Sequence, residues 1–205
     1  MTITIYQPLH TEINIKKSRF ICYLIPIKNE QDAKQQLNKL KKQTSQATHH
    51  CFAYIVDQHE HMSDDGEPSG TAGKPILTTL QSNHLTNILA IVIRYFGGIK
   101  LGTGGLTRAY RQSVTNTLQQ STLAQITTQQ ELQCVLNYSQ WQSLQHLKTI
   151  KIVNVIYDEY VNLTLSVIPE QINQIITTIN NYLHTKINFT IGQLKTVTIP
   201  IKKDS

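Results

Sequence analysis

Asn87-Ile-Leu-Ala-Ile-Val-Ile-Arg-Tyr-Phe96 is the most apolar stretch of this 205-residue chain, and it runs directly into Gly97-Gly-Ile-Lys-Leu-Gly-Thr-Gly-Gly105. The unbroken aliphatic run from Ile88 to Ile93 predicts a buried strand and is far too short to span a membrane. The five glycines after it predict an irregular loop. Beyond them Leu106, Ala109/Tyr110, Ser113/Val114 and Thr117/Leu118 recur at helical spacing. A strand, a glycine turn and one long helix make the first half α+β or α/β.

Upstream, Thr11 to Ile27 reads as two extended segments around Lys16-Lys17-Ser18. Asn29 is placed to cap a helix, with Glu30 and Asp32 in its first turn and Lys39, Lys41 and Lys42 in its last, as the helix dipole favours. Ala33, Leu37 and Leu40 give that helix its apolar stripe. Cys51 to Val56 predicts a buried strand, 57–74 a loop, and Pro75 to Leu80 a short helix.

Downstream, Leu132–Tyr138 predicts a strand, Ser139 to about Lys148 a helix, and Ile152–Tyr157 a strand turning at Asp158-Glu159. Val161, Leu163, Leu165 and Val167 alternate with Asn162, Thr164 and Ser166, which marks a sheet with one buried face. Pro169 opens a helix striped by Ile172, Ile175/Ile176, Ile179 and Leu183, and 187–201 is extended again. The order βαββαβ is the ferredoxin-like pattern. The Thr- and Gln-rich stretch Ser121–Gln130 is where a boundary is expected, giving domains 1–125 and 126–205.

Hydrophobic residues are 40% and charged residues 16%, which excludes a highly charged disordered chain. Cys22, Cys51 and Cys134 are odd in number and widely spaced, as suits reduced thiols. The N-terminal residues lack the basic and apolar segments of a secretion signal, so the expected location is cytoplasmic. The net charge of +6 concentrates in the first 125 residues, with 13 Lys/Arg against 8 Asp/Glu. No acidic residue stands between Glu67 and Glu131, while Lys74, Arg94, Lys100, Arg108 and Arg111 do. Such a segment can raise a local positive potential.

The glycine segment is the sharpest chemical feature. Glycines at Gly97, Gly98, Gly102, Gly104 and Gly105 let a ligand approach the backbone, and a following helix offers unpaired N–H groups to an anion. Neither GxxxxGK[ST] nor GxGxxG fits, because Thr107 occupies the last required glycine of the latter. Arg108 falls near the start of the helix, where the dipole disfavours a cation, and a bound phosphate would relieve that tension. Packing alone, with two solvated arginines, is the competing explanation.

Ser63-Asp-Asp-Gly-Glu-Pro-Ser-Gly-Thr-Ala-Gly-Lys-Pro75 is the second feature. Asp64, Asp65 and Glu67 could hold Mg²⁺ or move protons, or simply shape a turn around Asp65-Gly66. His49-His50 and His59-x-His61 match no defined zinc spacing. No catalytic residue, cofactor or metal is assigned. The polar sheet face of the second half offers no stacking aromatics, which disfavours an RNA-recognition-motif mode.

Together, Ser63 to Leu77 and Arg94 to Tyr110 resemble the IMPACT/YigZ family over about residues 10–120, and the second half resembles the C-terminal domain of its bacterial members. The resemblance implies an α+β protein. Its N-terminal domain would be an α/β sandwich of the ribosomal-protein and elongation-factor-G domain IV type. A ferredoxin-like βαββαβ domain resembling that factor's fifth would follow. It also implies kinship with translational regulators, which reach their protein partner through a further domain. The leading expectation is a non-enzymatic binding protein for RNA or the ribosome. Lys74, Arg94, Lys100, Arg108 and Arg111 would contact phosphates, helped by the glycine amides. The alternatives are an enzyme on a phosphorylated small molecule, using Asp64, Asp65 and Glu67, and a protein–protein adaptor. No membrane partner is expected.

Overall fold

The apolar run at 88–93 forms the middle of a five-stranded sheet in a computed structural model that describes residues 2–201. The strands of the first half are β1 (Thr2–Ile5), β2 (Leu9–Ile15), β3 (Ser18–Pro26), β4 (His49–Val56), β5 (His59–Ser63) and β6 (Ile88–Tyr95). The five from β2 to β6 pair in the order β2-β3-β6-β4-β5, every neighbour antiparallel. The period of two along β6 divides its side chains between two cores. Leu89, Ile91 and Ile93 pack with Ala33 and Leu40 of α1 (Glu30–Gln43). Ile88, Ala90 and Val92 face α2 (Gly73–Ser82) and α3 (Gly102–Gln120), with Ile76, Leu80, Leu106, Tyr110 and Val114. The same alternation sends Arg94 to the α3 side, at the end of the strand.

Local signals set the boundaries. Asn29 accepts from the amide of Asp32, capping α1 as the sequence predicts. Lys16 and Lys17 both take left-handed φ, 45° and 67°, forming the two-residue turn that fits the twist of the β2–β3 hairpin. Two expectations change. The predicted loop 57–74 contains β5, an edge strand whose polar residues are exposed on both faces and so show no apolar period. The glycine segment is irregular only to Leu101, because Gly102, Gly104 and Gly105 already belong to α3.

Residues 2–126 with 198–201 make one compact unit and Thr127–Val197 a second. The second contains α4 (Tyr138–Leu144), β8 (Ile152–Tyr157), β9 (Val161–Val167) and α5 (Ile172–Leu183), and most of β7 (Leu123–Leu136) and β10 (Phe189–Pro200). Its strand order, β10-β7-β9-β8, is that of a ferredoxin-like βαββαβ sheet. Leu132, Leu136, Val161, Leu163 and Leu165 form its core with Leu144 and Ile179. The boundary region is regular strand. The first residues of β7 pair with β1 and its later ones with β9. Residues 198–201 group with the first unit, where Ile201 donates to the carbonyl of Leu123.

All three cysteines are free and buried, Cys22 and Cys51 in the first unit and Cys134 in the second. Burial pushes Cys22 and Cys51 up to about 12 and Cys134 up to about 11.

Candidate functional site

Arg94 leaves the sheet on the α3 side and is only 4% exposed. A buried guanidinium needs a partner, and Glu67 supplies it: Nη1 donates to Oε1 at 2.6 Å. Nη2 reaches Ser18 Oγ at 3.4 Å, and the guanidinium carbon stands 5.4 Å from the ring centres of both Phe20 and Phe96. Tyr110 donates its hydroxyl to the same Glu67 oxygen at 2.7 Å, and Cys51 donates to Tyr110 at 3.3 Å. Burial raises the Tyr110 hydroxyl far above its ordinary range. One carboxylate thus ties β6 and α3 to the acidic loop.

The rest of that loop is held by its own carboxylates. Asp64 accepts from the amides of Gly70, Ala72 and Gly73 at 2.8–2.9 Å, closing the turn that starts α2. Burial works to raise the Asp64 carboxyl, and the three amides outweigh it, leaving it below its ordinary 3.8. Asp65 accepts from the amide of His50 at 2.6 Å and from Lys41 Nζ at 3.0 Å. It too is lowered: burial opposes the shift, and the His50 amide and Lys41 outweigh it. His49 Nδ1 lies 2.8 Å from the carbonyl of Asp65. Burial lowers His50, whose Nε2 is 2.8 Å from Thr44 Oγ1. A carboxylate lowered on folding stabilises above its unfolded value and loses that effect as pH falls through its folded value. Asp64→Asn should therefore cost about 1–3 kcal/mol at neutral pH. It should also flatten the loss of stability below about pH 4, read by denaturant titration across pH.

The glycine turn serves two ends. A β-carbon on Gly97 would stand 2.0 Å from the Lys17 carbonyl oxygen, so the turn lies directly against the β2–β3 hairpin. The Gly97 amide donates to Ser18 Oγ and that of Phe96 to Thr48 Oγ1, so neither is free for a ligand. From Gly98 onward the turn opens. Gly98, Lys100, Gly102 and Gly104 are exposed, and Gly105 is half-buried. The N-terminus of α3 has no side-chain cap and no acid in its first turn. Arg108 reaches back over that turn, with Nη1 3.7 Å from where a Gly104 β-carbon would stand. Lys74, Lys100, Arg108 and Arg111 are exposed, and none pairs with a carboxylate among the described residues.

The two motifs meet. Glu67 and Pro68 from the acidic loop line one cavity of about 440 Å³ with Lys100, Leu101, Gly102 and Thr103 from the turn and α3. Thr48, His49, Arg94, Phe96 and Leu106 complete it. Two expectations need revision here. Arg94 is a buried structural cation rather than a free phosphate contact, because its charge is neutralised by Glu67. Asp64 and Asp65 lie outside the lining and serve backbone amides and Lys41. Among the described residues no three His, Cys, Asp or Glu side chains are grouped to hold a metal. Phe96, and His49 as part of an anion site rather than a metal ligand, are not singled out by the sequence motifs. The period of two in β4 was the available signal for His49, since it shares the Cys51 face.

The family model for the Impact N-terminal domain matches residues 16–118, the span that holds both motifs. The chain belongs to the IMPACT family. The IMPACT family member YvyE of Bacillus subtilis is 50% identical over 118 residues, covering 56% of this chain and 54% of YvyE. The match therefore spans about half the length of that relative. YigZ of Escherichia coli is 38% identical over 169 residues, 78% of this chain and 82% of YigZ. The crystal structure of a hypothetical protein aligns at TM-score 0.63 and 30% identity, covering 99% of this chain and 98% of that one. No helix among the described residues is long and apolar enough to cross a membrane.

Proposed function

We propose that the protein is a non-enzymatic binding protein for RNA or the ribosome, with a role in translation regulation. The observation that carries this reading is the exposed, uncapped start of α3. Lys100 precedes it, Arg108 folds back over it, and among the described residues no carboxylate pairs with either. An isolated cation at the positive end of a helix is unfavourable, and phosphate beside it reverses the sign of that interaction. Arg111 and Lys74 extend the phosphate contacts, and the amides of Gly98, Gly102 and Gly104 assist; that of Gly105 makes the first intrahelical bond of α3. The link to translation comes from the family resemblance alone.

Catalysis is the weaker alternative because the acids that it needs are engaged: Asp64 by three amides, Asp65 by Lys41 and His50, Glu67 by Arg94 and Tyr110. A protein–protein adaptor would bind its partner equally well after nuclease treatment. For single-stranded RNA each phosphate contact contributes about 0.7 to the slope of log affinity against log salt. Arg108→Glu/Arg111→Glu should therefore lower that slope by about 1.4 and weaken binding most at low salt. Equal binding by wild type and variant at every salt concentration would overturn the reading.

A further inference from the structure

The cavity at the start of α3 is more elaborate than phosphate contacts along a strand require. A helix end attracts any anion, but two buried groups in the lining narrow the choice. Arg94, more than nine-tenths buried, lines the cavity, and its Nε has no partner among the described residues. Glu67 lines it too. Its Oε1 is taken by Arg94 and Tyr110, whereas Oε2 lies 3.9 Å from His49 Nε2, too far for a hydrogen bond. A carboxylate oxygen repels a bare phosphate yet accepts readily from a hydroxyl. Phe96, 46% exposed, adds a ring face beside Leu101 and Pro68. A volume of about 440 Å³ suits a ligand larger than an ion.

We propose that this cavity binds one ribonucleotide, with its phosphate at Lys100 and the Gly102–Thr103 amides, its 2′-hydroxyl on Glu67 Oε2, and its base against Phe96. Cation and amides then meet the anion, the carboxylate a hydroxyl, and the ring a ring. The inference rests on the phosphate-binding reading above and deepens it. The nucleotide is either a unit of an RNA chain or a free nucleoside monophosphate.

Calorimetric titration of the full chain with AMP, dAMP, adenosine and inorganic phosphate tests it. One AMP should bind per chain, with dAMP, adenosine and phosphate each weaker. Base–aromatic stacking is strong enough that Phe96→Ala should weaken AMP about tenfold. The half-exposed position of Phe96 leaves the fold intact, which thermal unfolding verifies. Displacement of bound RNA by AMP assigns the cavity to RNA, and AMP binding without displacement assigns it to the free nucleotide. No AMP binding, equal affinity for AMP and dAMP, or no effect of Phe96→Ala overturns the proposal. RNA binding that survives such a result, still sensitive to Arg108→Glu/Arg111→Glu, leaves the broader reading standing. AMP binding with no RNA binding removes that reading and keeps the cavity.

Discussion

Glu67→Ala is expected to destabilise the first unit by about 3–5 kcal/mol, because it strands a buried guanidinium without its counter-charge. Arg94 is 4% exposed, and its remaining partner, Ser18 Oγ at 3.4 Å, cannot neutralise it. Tyr110 would lose the acceptor of its hydroxyl at the same time. The loss should be largely a matter of pairing rather than of packing. Replacing both members with apolar residues, as in Glu67→Leu/Arg94→Met, should recover part of the stability, since buried ion pairs are often matched by hydrophobic isosteres. Urea unfolding of Glu67→Leu, Arg94→Met and the double variant measures the coupling. Additive losses would show that the pair does not act as a unit.

Gly97→Ala should be nearly as damaging, by about 3 kcal/mol, for a different reason. Its added methyl would stand 2.0 Å from the Lys17 carbonyl oxygen and 2.5 Å from the Ser18 nitrogen, and both are backbone atoms that cannot rotate away. The neighbouring position is the control. A β-carbon on Gly98 meets nothing within 4 Å, so Gly98→Ala carries only the cost of its left-handed φ of 82°, about 1–2 kcal/mol. Thermal unfolding of the two variants side by side separates close approach from backbone conformation. Equal midpoints would contradict the packing of the turn against the hairpin.

The elements that the sequence made legible are those whose burial is one-sided or complete. The alternation of Val161 to Val167, the aliphatic run of β6 and the Asn29 cap each follow from a local rule, and each lies where the residues place it. β5 was not legible, because His59-Glu-His-Met-Ser63 lies at a sheet edge, where the pairing of backbone with β4 decides and side-chain pattern does not. The two units divide after Ile126, inside the polar stretch Ser121–Gln130, yet no loop marks the division, because Thr and Gln are tolerated in a strand and β7 runs through it. The site divides in the same way. That Lys100, Arg108 and Arg111 are exposed follows from spacing on a helix and a turn. The burial of Arg94 depends on Glu67, 27 residues away, and no local pattern announces such a pair. Asp64 has the sequence context of a candidate ligand, because nothing in its neighbourhood reveals that three backbone amides converge on it.

The placement of the thiols has a practical corollary. With two sulfhydryls enclosed in one unit and a single one in the other, all held protonated by their surroundings, the folded chain is nearly inert to alkylating reagents. Each becomes reactive only when its own core opens. The chain therefore carries built-in chemical clocks, and the order in which the three sites are modified reports which half breathes first.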